Sequence, residues 1–149
     1  MKSPIMYWDE ETGVSQCVIT ADDGSVHIGK AVCAPEDRDM LSEKTGAAIA
    51  EARAQIACLK HVRDYQIKPE LKGLKRFWNI INKSKYYDAN SYPVQMLLRS
   101  IQRYENDLIA INEDLAFLKD DLKEYIKQKW IFYEKIRKRR NSIQKAEDK

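Results

Sequence analysis

The stretch Val14-Ser15-Gln16-Cys17-Val18-Ile19-Thr20-Ala21, then Asp22-Asp23-Gly24-Ser25, then Val26-His27-Ile28-Gly29-Lys30-Ala31-Val32-Cys33 sets β-branched runs on either side of an Asp-Gly pair. That combination is a strong hairpin signal, because both central residues of a type I′ turn take positive φ. With Asp23 and Gly24 as a two-residue loop, Ile19 lies opposite Ile28, Ala21 opposite Val26 and Cys17 opposite Lys30. Cys17 and Cys33 then occupy different rungs and opposite faces, which prevents a disulfide within one hairpin. A lone hairpin is marginally stable, so it must lean on helices or on a second copy.

Before the hairpin, Trp8 and the run Asp9-Glu10-Glu11-Thr12-Gly13 lack periodicity and read as an arm or a short edge strand. After it, Pro35 ends the second strand, and Glu36-Asp37-Arg38-Asp39 leads through Ser42 into a helix from about Glu43 or Thr45 to Asp64. Ile49, Ala52, Ile56, Leu59 and Val62 form its apolar stripe. Gly46, Ala47, Ala48, Ala50 and Ala54 leave the early turns with little side-chain bulk, which suits close approach of another backbone. Lys68-Pro69 breaks the pattern, and a short helix over 69–82 gathers Leu71, Leu74, Trp78 and Ile81 on one side. A polar, tyrosine-rich connection follows over 83–91.

Asn90 or Ser91 then caps a long helix with Pro93 in its first turn. Leu97, Ile101, Tyr104, Leu108, Ile111, Leu115, Leu118, Leu122 and Tyr125 alternate steps of four and three, and Phe132, Ile136 and Ile143 resume after Lys129. A helix of about 50 residues extends roughly 75 Å, and no other element of so short a chain is long enough to cover it. Residues 105–121 are acidic and the following turns basic, so an antiparallel pair sets unlike halves side by side. The competing possibility is a helix that breaks near Asp120 and folds back on the Ile49 to Leu59 stripe. The expected class is mainly α with a small N-terminal antiparallel β-hairpin (α+β) and a long C-terminal heptad-patterned helix, oligomeric. Its parts are an arm and hairpin over 1–34, a helical region over 35–92 and a coiled-coil-like helix over 93–149.

The composition narrows function. The 149 residues are 44% hydrophobic and 33% charged, with 5 Gly and 4 Pro, which excludes collagen-like, mucin-like and wholly disordered chains. No run approaches the roughly 18 apolar residues of a membrane span, and Met1-Lys2-Ser3-Pro4 opens no apolar h-region, so a soluble cytoplasmic protein with no membrane partner is expected. Three cysteines without a C-x-x-C pair build neither a disulfide framework nor a zinc ribbon, and read as small buried hydrophobes.

Catalysis is poorly supplied. The two histidines, His27 and His61, belong to no H-E-x-x-H or H-x-H motif, and Cys58 with His61 makes only two metal ligands. Nucleophile-elbow, Walker A and dinucleotide-binding motifs are absent, so neither an enzyme nor a cofactor is expected.

Binding is better supplied. Arg53, Lys60 and Arg63 lie on the first long helix, Phe77, Trp78, Asn82, Tyr86 and Tyr87 around the connection, and Arg99 and Arg103 one turn apart on the last helix. Aromatic faces stack bases, guanidinium forks grip phosphates and an amide reads a base edge. The candidate ligand-binding residues are Arg53, Phe77, Trp78, Asn82, Tyr86, Arg99 and Arg103, for a nucleotide-like anion. Against this stands a plainer reading in which Phe77 and Trp78 are core and the arginines pair with Glu51, Glu105 or Asp107. Separately, Lys135-Ile136-Arg137-Lys138-Arg139-Arg140 is dense enough to attract phosphate, or is a solvated helix end whose cations suit the helix dipole. Residues 123–149 hold ten basic and four acidic side chains, leaving the rest of the chain net acidic.

The stretch Gly29-Lys30-Ala31-Val32-Cys33-Ala34-Pro35-Glu36-Asp37, followed by Thr45-Gly46 and Ile49-Ala50-Glu51-Ala52-Arg53-Ala54-Gln55-Ile56, resembles small phage-encoded accessory proteins. The order of hairpin, helix with an early glycine and long C-terminal helix is similar to the Thoeris anti-defence sponge family of phages. The resemblance covers residues 14–64 by wording and the rest by order of elements. It implies a non-catalytic homo-oligomer in the host cytoplasm that sequesters a cyclic ADP-ribose-type immune messenger, with cyclic oligonucleotides as further ligands, through aromatic and arginine contacts. The alternative is a coiled-coil interaction protein that binds nucleic acid or a host or virion protein through the long helix and its basic end.

Overall fold

The computed structural model describes residues 3–33 and 43–148. Pro35, the acidic segment after it and Ser42 lie outside the described residues, as does the Ala34 to Asp37 part of the family resemblance. The class is α+β: strands β1 (Ile5–Asp9), β2 (Val14–Thr20) and β3 (Val26–Val32) precede helices α1 (Glu43–His61), α2 (Lys68–Asn82) and α3 (Tyr92–Glu147), with a π-helical segment, Val62–Ile67, joining α1 to α2. By contacts the chain divides into two compact units, Met1–Ile56 with Phe117–Lys149, and Ala57–Ala116. No helix among the described residues is long and apolar enough to cross a membrane.

In the first unit the sheet has the order β1-β2-β3, all antiparallel. The arm before the hairpin is thus a third strand, with Ile5 opposite Val18 and Trp8 opposite Ser15. The β2–β3 register differs from the expected one by one residue: Ile19 pairs with His27, Thr20 with Val26 and Cys17 with Gly29. The turn chemistry explains the shift. Gly24, at φ +85°, is the turn's only residue with positive φ, so a type I′ turn cannot form. Instead Gly24 N–H donates to the Ala21 carbonyl at 3.0 Å and Ala21 N–H to the Ser25 carbonyl at 2.9 Å, a three-residue loop with a left-handed glycine. Asp23 Oδ1 accepts from Ser25 N–H at 2.9 Å and from its hydroxyl at 2.5 Å, and Asp23 keeps a negative φ.

A one-residue slip exchanges the faces. Cys17 and Cys33 therefore share the buried face, contrary to the expected opposite faces; they stand about 13 Å apart along the strands and both are free thiols. Ser15, Cys17, Ile19, Ala21, Ala31 and Cys33 are buried there, while Tyr7, Val26, Ile28 and Val32 are exposed on the other face.

The backbone of α1 lies directly on β3. A Cβ on Gly29 would overlap the Ala50 carbonyl oxygen and the Ala54 nitrogen, and one on Gly46 would overlap the Ser15 hydroxyl. The expected close approach is real, and its partner is the sheet. Gly46, Ala50 and Ala54 are accordingly buried on α1, and of the expected stripe Ile56 is buried while Ile49, Ala52, Leu59 and Val62 are half-buried. Arg53 Nη1 donates to the Lys30 carbonyl at 2.6 Å and ties the helix to the open edge of β3.

The helix does not break at Lys68-Pro69. Proline lacks the N–H that an α-helix would direct to the Tyr65 carbonyl, and its ring would crowd that carbonyl. The chain widens instead: Lys68 N–H donates to the Arg63 carbonyl, five residues back, and helical structure continues into α2. α3 likewise passes Asp120 without a break. In the second unit Val94, Leu97, Ile111 and Leu115 of its heptad seam are already buried, with Arg63 Nη1 3.4 Å from Asn112 Oδ1 and Lys75 Nζ 3.0 Å from Glu105 Oε1. The seam's first half is therefore covered within one chain, contrary to expectation.

Gly29→Ala is expected to cost about 2–3 kcal/mol, since backbone on both sides must move, whereas Gly73→Ala, in open space within α2, should gain about 0.5–1 kcal/mol; urea unfolding measures both. Burial pushes the Cys17 thiol above its ordinary 9.0, and the nearby Glu51 carboxylate adds to this. The stability due to that neutral thiol is complete below the unfolded thiol's range and is lost as pH rises through the shifted one. A chromogenic disulfide reagent at pH 8 should react slowly with all three cysteines of the native protein and at once after unfolding.

Candidate functional site

The second unit carries the chemistry. α2 is amphipathic: Leu71 is buried, Leu74, Trp78 and Ile81 are half-buried, and Lys68, Lys72, Lys75, Arg76 and Asn79 are exposed. Steps of four, three, one and three place those five polar residues on one face of the helix. With Leu71 they line a groove of about 370 Å³. A second cleft of about 300 Å³, lined by Lys75, Trp78, Asn79, Leu98 and Ile101, shares Lys75 and Asn79 with the first. The two form one recess with a cationic end and an apolar end.

Charge in the recess is unbalanced. Lys68 Nζ lies 3.4 Å from Asp64 Oδ1 and Lys75 is paired with Glu105, but Lys72 and Arg76 have no carboxylate partner among the described residues. Asp64 is shared: Arg63 donates to it from Nε at 2.9 Å, and this bond, with Lys68 beyond it, holds its carboxyl below the usual carboxylate range. At the apolar end, Trp78 Nε1 is buried and donates to no acceptor. A buried indole N–H ordinarily finds one, so this group is an unmet donor inside the packing of α2.

The sequence-derived candidates are dispersed. Trp78 alone of the seven lines the recess. Asn82 continues the polar face of α2 one turn beyond Asn79, at the last residue of the helix. Phe77 is exposed, and so is Tyr86, whose ring has Lys85 Nζ 5.0 Å from its centre. Arg99 is exposed on α3. Arg103 stands over the Tyr104 ring at 5.3 Å and lines a different cleft of about 610 Å³, where Glu70 and Asp107 outnumber it. Arg53 belongs to the first unit, where its guanidinium holds the Lys30 carbonyl.

Lys68, Lys72, Lys75, Arg76 and Asn79 were not among the candidates read from the sequence. Their signal was present as a basic stripe with helical spacing, but charge summed over long windows cancels it against the acidic segments before Glu43 and within 105–121. Comparison with known families, proteins and solved structures returns no match for this chain.

Lys72→Ala and Arg76→Ala, each removing an exposed and unpaired side chain, should shift stability by no more than about 0.5 kcal/mol. A urea titration of each variant checks this and qualifies both for binding experiments.

Proposed function

We propose that the protein binds a nucleotide-like anion in the α2 recess and holds it without chemical change. The observation that carries this reading is the adjacency, across Lys75 and Asn79, of the unpaired cations Lys72 and Arg76 to a cleft lined by Trp78, Leu98 and Ile101. Phosphate oxygens meet Lys72 and the forked donors of Arg76. A base or other planar group rests against Leu98, Ile101 and the indole. Asn79, at the junction, supplies an amide donor and acceptor to either part.

Binding without turnover needs no general base, which agrees with the lack of a histidine among the recess residues. The family resemblance makes a cyclic ADP-ribose-type messenger the first ligand to examine and sequestration by mass action the biological effect. A sponge of this kind lowers free messenger only when it outnumbers the messenger and binds it below its receptor's threshold.

The test is calorimetric titration with ADP-ribose-derived cyclic messengers and cyclic di- and trinucleotides, followed by heat release and chromatography of the ligand. Submicromolar binding with intact recovery is expected. Lys72→Glu with Arg76→Glu should weaken it at least tenfold, about 1.4 kcal/mol, while Arg53→Ala should change affinity little. Silence across the panel would sink the proposal, and recovery of a cleaved ligand would make the protein an enzyme.

A further inference from the structure

The first unit contains an exposed helical face with an acidic half, a basic half and apolar side chains at both ends. Along α3, Phe117, Asp121, Glu124, Gln128, Ile131, Lys135, Arg139 and Ile143 follow one another at steps of three and four and therefore share a side of the helix. The order is apolar, acidic, acidic, polar, apolar, basic, basic, apolar. None of these residues is covered: Phe117 is 69% exposed, Ile131 39% and Ile143 60%, with the adjoining Phe132 at 55%. Most half-buried residues of this part of the helix, among them Leu118, Leu122, Tyr125, Lys129, Tyr133 and Ile136, lie about a quarter-turn away. Phe132 and Ile143, which continue the heptad seam in the sequence, are thus on the exposed face rather than the half-buried one.

We infer that this face pairs antiparallel with the same face of a second copy of the chain, about a two-fold axis passing near Lys129 and Trp130. In that register Phe117 meets the partner's Ile143, Asp121 meets the partner's Arg139, Glu124 lies beside the partner's Lys135, and Gln128 packs on the partner's Phe132. Every contact occurs twice, as an isologous interface requires. Lys138, Arg139, Ser142 and Ile143 line a recess of about 400 Å³ at the basic end, which accepts the partner's Phe117.

Charge selects this occupant. Among the described residues Asp121, Lys135 and Arg139 form no ion pair, and Glu124 accepts the Gln128 amide at 2.9 Å. All four groups are open to an intermolecular partner. A parallel pair would set Asp121 against Asp121 and Arg139 against Arg139, which repels. A nucleic acid or an anionic lipid surface would suit Lys135 and Arg139 but would be repelled by the two carboxylates on the same face. The face spans about 40 Å of helix, with apolar side chains at both ends and in the middle and ion pairs between them.

Sedimentation at micromolar protein is expected to give twice the chain mass of 17.4 kDa, with dissociation promoted by salt as the ion pairs are screened. Asp121→Lys with Glu124→Lys leaves a face with only positive charges, and Lys135→Glu with Arg139→Glu one with only negative charges. Each variant alone should sediment as a monomer, and their equimolar mixture should recover the dimer. Polarity is read from cysteine pairs: Phe117→Cys mixed with Ile143→Cys should cross-link between the two variants, and neither should cross-link alone. A monomeric wild type, a dimer that both charge variants leave intact, or 117-to-117 cross-links would overturn the inference. These readouts are independent of ligand binding in the α2 recess.

Discussion

The fold of the first unit depends on backbone meeting backbone. At Gly29, β3 has no side chain, and the Ala50 carbonyl and Ala54 nitrogen of α1 occupy the space where a Cβ would stand. One turn before Ala50, Gly46 leaves room in the same way for a side chain, the Ser15 hydroxyl. Between these points the helix rests on small residues, so the layer it shares with the sheet is thin and tolerates little added volume. The buried side chains around it, Ser15, Cys17, Ala21, Ala31 and Ala54, are small for the same reason, with Ile19 the one large side chain fully enclosed on the strands. Arg53, which might have served a ligand, instead caps the Lys30 carbonyl and secures this contact at its edge.

Pro69 has a comparable influence on the second unit. Because it cannot donate an α-helical hydrogen bond, the chain before it takes five-residue spacing, and α2 begins at Lys68 without a loop. Continuity fixes the rotation of α2. Leu71, Leu74, Trp78 and Ile81 turn toward the packed side, and Lys72, Arg76 and Asn79 are left facing solvent in a line. The recess is thus a consequence of an uninterrupted helix, and Trp78, at the boundary between the two sides, contributes both a packed ring and an unpaired N–H.

Local charge order matters more in this protein than net charge. A formal charge of only +3 conceals a basic line on α2 and, on α3, a sequence of two carboxylates followed by two cations. In the first place unpaired cations converge on an apolar cleft, which suits a compact anion bearing a planar group. In the second, carboxylates occupy one half of an exposed face and cations the other, which suits a copy of itself turned end for end. The two surfaces lie in different units and make different demands on a partner.

Much of the architecture was legible in the sequence because its signals are local. β-branched runs around Asp23-Gly24, small residues at 46–54 and the heptads after Ser91 determined hairpin, close-packed helix and long helix, each from propensity and period. What those signals lacked was any measure of competition between neighbours. Asp23 could take positive φ or use its carboxylate on Ser25, and the second choice shifted the register and brought Cys17 and Cys33 to one face. Pro69 could end a helix or widen it, and the continuous packing of α2 was compatible with widening. The aromatic and arginine residues read from the sequence as ligand contacts are of types that suit an anion, but residue type carries no direction. Only the tertiary structure decided that Arg53 holds a carbonyl, that Arg103 lies over the Tyr104 ring, and that Lys72 and Arg76 have no carboxylate partner among the described residues, because pairing depends on which side chains folding brings within a few ångströms.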